Sequence, residues 1–437
     1  MKTFLRIFLI MIAAIITSCS NGTCNTNNPA PTASVDLDSN NGGISNGESN
    51  VALTPTIVLQ FSVPMDPSTV NAQTITLSTN VLTGNKLTDS GSQNIPITTI
   101  IASANNTIFT FSSESPLLPS QKYYVNVTNA LTTTGLPVTG TFYFTTGSVQ
   151  FVAVGTNGTI LYSLNGEQWE STAFGSKYIN SVTYAESQFI AVGESGVIYT
   201  SDNGVNWTSQ LSNSDQELFD TAYGSGLFVI VGCDGTVLTS NNGSAWTDSS
   251  PADKDFFCGN LFGIAYGNGI YVSVGQNYDK TQSVLATTSN PTDPESWVIG
   301  NDPSNATELT AVTYGGEKFV AVGAGGAIIY ASKTADDWVE ANDSVKVTTA
   351  QLGAITYANG LYVAAARDGG IIKSTDANLW SLATSGTTTP LYSITHGENK
   401  FIAVGNNGTM ISSIDGESWT VITPVTTENL YGITSRH

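Results

Sequence analysis

Charged side chains are scarce in this 437-residue chain. They make up 11% of it, and it has only two histidines and four cysteines. The abundance of Gly, Asn, Ser and Thr suits short strands joined by tight turns better than helices rich in Lys and Glu. The two histidines, His396 and His437, are too few for a histidine metal cluster, and a His-based catalytic triad is improbable. We therefore expect an all-β chain without a metal or cofactor.

Basic residues are the rarer of the two charge signs. Fourteen Lys and Arg face 34 Asp and Glu, which gives a formal net charge of −20. A surface this acidic repels phosphate backbones and bare anionic lipid, so nucleic acid is not an expected partner. We interpret the charge as a device that keeps an exported protein soluble.

One long apolar run, residues 7–16, follows Lys2 and Arg6. It is too short to span a bilayer comfortably and ends in small residues, which predicts a signal peptide over residues 1–18. The junction Ile16-Thr-Ser-Cys19 resembles the bacterial lipobox. That resemblance implies lipidation of Cys19, which becomes the mature N-terminus, and Ser20 is compatible with outer-membrane sorting in Gram-negative cells. The alternative is an ordinary secretory signal with an incidental cysteine.

Two segments precede the repeats. Residues 19–34 hold almost nothing that could form a core and are predicted to be a flexible tether. Residues 35–147 alternate strand-like runs with turn signals, as a β-sandwich does. Their phrases 61–71 and 142–147 resemble the bacterial Ig-like domain of the S-layer type. The resemblance implies a spacer or adhesive module without catalysis, in which Met65-Asp66-Pro67 is a structural turn.

From residue 148 onward the chain repeats itself about every 40 residues, and a period of that length predicts a propeller or array. Four copies of a phrase of the type Ser201-Asp-Asn-Gly-Val-Asn-Trp207 each end in tryptophan. Every tryptophan occupies this one place in the repeat: Trp169, Trp207, Trp246, Trp297, Trp338, Trp380 and Trp419. A residue that every repeat contains is explained first by the fold, so we interpret these as structural anchors of the turn.

The two ends of the repeat region do not match. The first copy lacks the strand that precedes the run Phe-Val-Ala-Val-Gly in later copies, and the chain ends with residues 430–434, which match 391–395 closely. A C-terminal strand that completes the first blade would remove the free edge of an open sheet. We predict a seven-bladed β-propeller of four-stranded blades over residues 148–437, closed by the C-terminal strand.

The tryptophan phrase resembles the Asp-box of sialidase-like propellers, and the whole repeat looks most like photosystem II assembly factors. Only residues 200–207 have the usual Asp-box spacing, and Pro294, Ala335 and Ala377 stand where other copies have Gly. By the resemblance, Asp-boxes lie on the outer rim and stabilise turns. A sialidase site would need three arginines on one carboxylate, and lysine does not replace their paired donors.

Sialidase activity is therefore excluded for practical purposes, because residues 19–437 contain only Arg367 and Arg436. A carboxylate-dependent, glycan-active enzyme stays open as the alternative function, since such catalysis needs only two suitably spaced acids. No paired acidic motif stands out. We predict no catalytic residues.

The repeat is broken most clearly between Trp246 and Trp297, where we expect function. Two enlarged loops, 249–260 and 276–283, are predicted to emerge on one face of the propeller. Our candidate ligand-binding residues there are Phe256, Phe257, Tyr278 and Asp279. Cys233 lies on the same predicted face as Cys258, so a disulfide could pin the larger loop. Tolerated loop drift with two unpaired cysteines is the alternative.

Together these features predict an exported bacterial lipoprotein of the cell envelope, attached to the membrane through its lipid only. Its expected role is non-catalytic: binding of a protein or a glycan on the irregular propeller face, in adhesion or in envelope assembly. We expect a monomer.

Overall fold

The computed structural model describes residues 35–37, 43–79, 82–83, 86–87, 93–251, 259–342 and 347–436. Throughout these ranges the chain forms β-strands, and its only helical segments are short 3-10 turns. Nowhere in them does a helix reach the length and apolar character that crossing a membrane requires. The chain divides into two compact units, Met1–Gly147 and Ser148–His437.

The first unit is an antiparallel sandwich with one parallel strand pair. One sheet has the order Val35–Leu37, Ile57–Phe61, Ile108–Phe111, Ile101–Ala102. The other has the order Glu48–Val51, Pro137–Thr146, Lys122–Leu131, Ile75–Ser78, Asn94–Ile95, and Leu82–Thr83 pairs separately with Lys86–Leu87. The parallel pair joins Glu48–Val51 to Pro137–Thr146.

Alternating side chains of these strands fill the sandwich core. Leu59 and Phe61 from one sheet lie in the same buried cluster as Val125 and Phe144 from the other, as the period of two along a strand requires. Asp66 caps the 3-10 turn Pro67–Thr69 by accepting a hydrogen bond from the Ser68 N–H at 3.0 Å. This supports the structural interpretation of the Met65-Asp66-Pro67 turn.

The second unit contains seven four-stranded antiparallel sheets. We number them blades one to seven and call their strands inner, second, third and outer. The inner strands, from blade one, are Leu430–Ser435, Ile179–Ala185, Leu218–Gly224, Gly259–Gly267, Leu309–Gly315, Leu352–Ala358 and Leu391–Gly397. The second strands are Phe151–Gly155, Gln188–Gly193, Leu227–Gly232, Ile270–Asn277, Lys318–Gly323, Leu361–Ala366 and Lys400–Gly405.

The remaining two strands complete each blade toward the outside. The third strands are Thr159–Ser163, Ile198–Ser201, Val237–Ser240, Ser283–Thr288, Ile328–Ser332, Ile371–Ser374 and Met410–Ser413. The outer strands are Glu170–Ala173, Thr208–Gln210, Thr247–Asp248, Val298–Ile299, Val339–Glu340, Ser381–Ala383 and Thr420–Ile422. Second strands are mostly apolar because both of their faces are covered along most of their length. In Gln188–Gly193 every residue after Gln188 is buried.

The inner strands form a closed ring. Each packs against the inner strand of the next blade, and Leu430–Ser435 packs between Leu391–Gly397 and Ile179–Ala185. The same C-terminal strand pairs with Phe151–Gly155, the second strand of blade one, in the register Phe151↔Ser435 to Gly155↔Leu430. The predicted closure by the C-terminal strand is therefore confirmed, and no inner edge of blade one is left open.

The tryptophan turns are held by side chains of the same phrase. In blade two, Ser201 Oγ accepts from the Gly204 N–H at 2.8 Å, and Asn203 Oδ1 accepts from the Val205 and Asn206 N–H groups, both at 2.9 Å. The residue that holds the turn is thus Asn203 and not Asp202, although Asp202 is the acid that gives this copy its Asp-box spacing. Asn165, Asn242, Asp376 and Asp415 make the same bonds in their blades.

Tryptophan closes each of these turns as a structural anchor. The indole N–H donates to the carbonyl three residues earlier for Trp169, Trp207, Trp246, Trp338, Trp380 and Trp419. The glycine of the phrase is left-handed, as Gly204 is at φ 77°, and Ala335 and Ala377 adopt the same region at φ 56° and 67°. Pro294 differs, because it begins a 3-10 turn that Asp293 caps.

The hairpins between second and third strands have two central residues with positive φ in most blades. Asn157 and Gly158 both have positive φ, at 54° and 66°, which is the conformation that selects Asn, Asp and Gly. Blade six differs. There Gly369 is left-handed at φ 86°, whereas Asp368 does not have a positive φ.

Candidate ligand-binding site

Every inner strand contains a β-bulge directly after a buried Leu or Ile near the start of its pairing. The register skips Asn180 in blade two, and the skipped residue in each of the other blades occupies the same place. A bulge leaves one residue unpaired and re-aims its side chain. We call the seven skipped residues the bulge ring: Tyr431, Asn180, Phe219, Phe262, Thr310, Gly353 and Tyr392.

All seven members of the bulge ring line one cavity of about 470 Å³, together with Glu308 and Arg367. The cavity therefore lies inside the ring of inner strands, near the ends at which these strands begin. Seven strands close its sides, and each contributes one side chain or, at Gly353, a gap. The fold has built a concave, seven-sided site from residues that the sheets themselves do not pair.

Four aromatic side chains form two walls of this site. Phe219 and Phe262, from adjacent blades three and four, meet edge to face with ring centroids 5.2 Å apart. Tyr392 and Tyr431, from adjacent blades seven and one, lie 5.4 Å apart, and the exposed Tyr178 extends that wall at 6.4 Å from Tyr431. The smaller members of the bulge ring, Asn180, Thr310 and Gly353, lie between the two aromatic walls. The site thus offers aromatic surface on two sides.

Charged groups occupy the side where the bulge ring has its smallest residues. The Arg367 guanidinium carbon lies 5.5 Å from the centroid of the Tyr392 ring. Gln351 donates a hydrogen bond to Glu308. Burial raises the pKa of Glu308, while the charges of Arg367 and Lys280 act to lower it. One carboxylate and one guanidinium therefore share this side of the cavity.

Asp220, next to Phe219, ties three inner strands together. Its carboxylate accepts from Ser181 Oγ in blade two at 2.7 Å and from the Ile264 N–H in blade four at 2.9 Å. Burial among these strands raises the pKa of Asp220 to about 6, although the hydrogen bonds lower it. We interpret Asp220 as a structural clamp between inner strands, because its carboxylate is hydrogen-bonded within the protein.

The raised pKa of Asp220 predicts a pH-dependent stability. The folded state holds this proton more tightly than the unfolded state, so the contribution is complete below pH 3.8 and is lost as pH rises through about 6. In Asp220→Asn the amide can donate to Ser181 Oγ and still accept from Ile264. Between pH 4 and 7 we expect the unfolding free energy of the native protein to fall by about 2 to 3 kcal/mol relative to this variant.

Urea unfolding of both proteins at a series of pH values measures this difference. Asp279→Asn is the control. Hydrogen bonding from Thr281 lowers the pKa of the exposed Asp279, so replacing this carboxylate cannot produce a fall in unfolding free energy between pH 4 and 7 relative to the variant. A constant free-energy difference between the native protein and Asp220→Asn at every pH would contradict the assignment.

The hairpin that carries Tyr278 and Asp279, two of the sequence-predicted loop residues, lies at the same end of the propeller as the cavity. Turns that follow the second strands are joined by backbone hydrogen bonds to the segments just before the inner strands. For example, the Glu194 N–H donates to Tyr178 O at 2.9 Å. We call this the entry face. The hairpin 276–283 belongs to it, because Gln276 Nε2 donates to Thr307 O at 3.2 Å.

Tyr278 and Asp279 are exposed on that hairpin, and neither lines the cavity. Cys233 lies on the entry face, where its N–H donates to Glu217 O at 2.8 Å, and no disulfide joins it to another described residue. Phe256, Phe257 and Cys258 lie outside the described residues, as does Cys19. The ligand role of the loops and the Cys233–Cys258 disulfide therefore stay predictions.

The opposite face carries a second ring, formed by the aromatic residues that the repeat places near the ends of the inner strands. Each stacks on the first aromatic residue of its own second strand, as Tyr184 does on Phe189 at 4.6 Å and His396 on Phe401 at 4.7 Å. Arg436 lies over Tyr184 at 4.9 Å. A cavity of about 510 Å³ next to His396 and Arg436 opens there, but its aromatic groups are engaged in these hairpin contacts.

Sequence reasoning missed the bulge ring, although a signal was present. In each inner strand an Ile or Leu, such as Leu218 or Leu391, fills the same buried position, and the next residue differs from blade to blade. Variation beside a repeated core position marks a residue that the fold leaves free.

In the described ranges no group of three or more His, Cys, Asp or Glu is placed to hold a metal ion.

Comparison with known proteins agrees with this architecture. Residues 43–146 match the family model of a bacterial Ig-like domain, and residues 293–431 match that of a DUF6242 beta propeller domain. No curated protein matches the sequence.

Several solved structures resemble the chain. YCF48 bound to D1 peptide has 16% identity and a TM-score of 0.49, covering 60% of this chain and 87% of that one. YCF48 from Cyanidioschyzon merolae has 16% identity and a TM-score of 0.46, covering 58% and 87%. A nidogen/laminin complex chain has 11% identity and a TM-score of 0.42, covering 66% and 98%. The chain is an all-β protein in which an Ig-like domain precedes a beta propeller.

Proposed function

We propose that this protein is a non-catalytic binding module whose ligand enters the bulge ring from the entry face. The observation that carries the proposal is the composition of the cavity. Its seven bulge positions hold four aromatic side chains, although the fold needs none of them for sheet pairing. Partly exposed aromatic side chains that converge in a concave site, with a few polar groups beside them, are typical of ligand binding.

Photocrosslinking tests the position of the ligand. The inner strand Leu218–Gly224 offers a matched pair, since Phe219 lines the cavity and Tyr223 lies near the other end of the same strand. A benzophenone amino acid at position 219 of the full chain is expected to give ligand adducts in intact cells, and one at position 223 is not. Adducts only at 223, at both positions equally, or at neither would contradict the proposal.

We also propose that the module is an exported lipoprotein held at the cell envelope by Cys19. The support is the lipobox-like Ile16-Thr-Ser-Cys19 and the tether-like composition of residues 20–34. Two or more acyl chains anchor a protein stably where one chain is marginal. Such an anchor would hold the propeller close to ligands of the envelope.

Radiolabelled fatty acid measures the anchoring directly. Cells that produce the native chain are expected to incorporate the label into it, and Cys19→Ala is expected to lose nearly all of it. Cys24→Ala, only five residues further along the tether, is the matched control and should keep the label. Equal labelling of native protein and Cys19→Ala would contradict lipidation at this residue.

A further inference from the structure

The bulge-ring cavity carries a more specific conclusion, which rests on the function proposed above. We propose that its ligand is a neutral saccharide of one to three sugar units. Shape, aromatic surface, free polar groups and charge balance point to this chemistry independently.

Shape separates a small ligand from a broad protein surface. The cavity of about 470 Å³ is enclosed laterally by seven inner strands, and small-ligand sites are typically clefts of about 300–1,000 Å³. A stable protein–protein interface instead buries about 800 Å² on each partner. A recess of this size fits a short oligosaccharide or the terminal sugars of a longer glycan.

The aromatic walls suit the faces of sugar rings. A pyranose ring presents a patch of C–H groups on one face, and the electron-rich face of an aromatic ring attracts such groups. The phenylalanine pair of blades three and four and the tyrosine pair of blades seven and one provide two such surfaces in one cavity. Gly353 and Thr310 leave space between the walls on one side.

Polar groups of the site are available for hydroxyl groups. Within the described part of the chain, the hydroxyls of Tyr392 and Tyr431 make no hydrogen bond. The guanidinium of Arg367, which lies over the ring of Tyr392, makes none there either. Tyrosine hydroxyls donate and accept, carboxylates accept, and guanidinium donates. A sugar hydroxyl can both donate and accept, so it can pair with every one of these groups.

Charge balance excludes strongly charged ligands. The cavity lining contains one carboxylate, Glu308, and one guanidinium, Arg367, so its own charges offset each other. An anionic ligand such as a nucleotide would also meet the repulsion of a chain with formal net charge −20. A cationic ligand would meet Arg367 at the cavity and the Lys280 charge that acts on Glu308. A neutral, polyhydroxylated ligand avoids both penalties.

The test begins with the full-length protein in detergent on an array of neutral and acidic glycans, followed by calorimetry with the best short oligosaccharide. We expect neutral glycans to bind, with a dissociation constant that changes less than about twofold between 50 and 500 mM salt, because screening acts on charges. Tyr392→Ala should weaken binding at least about tenfold and Tyr392→Phe less. Tyr223→Ala, near the other end of the inner strand that carries Phe219, should leave it unchanged.

Several outcomes would overturn the inference. They are binding of acidic glycans alone, affinity that falls steeply with salt, equal affinity of native protein and Tyr392→Ala, or no glycan binding. If glycans fail while position 219 still gives crosslinks, the saccharide is wrong and the binding module stands. If position 219 gives no crosslinks, the proposed function itself fails.

Discussion

A chain that ends at Glu428 is expected to lose most of the stability of the propeller. The missing strand, Leu430–Ser435, pairs with Phe151–Gly155 and packs against the inner strands of both neighbouring blades. Leu430 is fully buried and Ile433 is 6% exposed. Because a domain is stable by only about 5–15 kcal/mol, losing one inner strand and opening the ring should remove at least about 5 kcal/mol.

Urea unfolding followed by tryptophan fluorescence measures this loss, since each blade carries one tryptophan. Deletion of His437 alone is the control and should leave the unfolding midpoint unchanged. Leu430→Ala should fall between the two, at a cost of about 2–5 kcal/mol for a buried leucine. If the chain ending at Glu428 unfolds at the same urea concentration as the native protein, the closing role of this strand is refuted.

Trp207→Ala is expected to destabilise the propeller by about 3–5 kcal/mol, the usual cost of truncating a buried aromatic side chain. Trp207 is 7% exposed, donates its indole N–H to Gly204 O at 3.3 Å, and lies 6.3 Å from the Phe189 ring. The substitution therefore removes apolar contact area and also frees the turn that joins the third and outer strands of blade two.

Blade five supplies the matched comparison for this prediction. Trp338 makes the same kind of bond, to Ala335 O at 2.9 Å, but it is only partly buried. Trp338→Ala should therefore cost less than Trp207→Ala in the same urea experiment. Ligand binding should survive both substitutions at concentrations of urea where the protein stays folded. Equal losses for the two tryptophans, or no loss for Trp207→Ala, would show that burial of the indole does not stabilise the turn.

The sequence predicted the strands and their order because the pattern of the propeller is local. In a second strand such as Gln188–Gly193 every residue after Gln188 is apolar or glycine, since both faces are buried. The turn phrase around Trp207 carries its own hydrogen-bonding side chains. The missing strand of the first repeat and its counterpart at 430–434 together implied closure. Each of these inferences depends either on residues within one blade or on a comparison of the first and last copies of the repeat.

The sequence did not point to the bulge-ring cavity, for an equally physical reason. We looked for function where the repeat is longest, in the loops that contain Tyr278 and Asp279, and these two residues do not line the cavity. The cavity uses positions of unchanged spacing, such as Phe219 and Tyr392, at which only the residue type varies. An insertion can be seen in the sequence alone. When only the residue type changes within a strand, the sequence does not show which way the new side chain points.

The sequence by itself determined an Ig-like domain, a repeating four-stranded unit and the strand that closes the ring. It did so because hydrophobic period, turn chemistry and repeat length are properties of neighbouring residues. Only the tertiary structure decided that one bulge in each of seven inner strands turns seven residues toward a common axis. These residues are about 40 positions apart along the chain and meet because the ring closes. Their convergence is a property of the whole ring, and no single blade contains it.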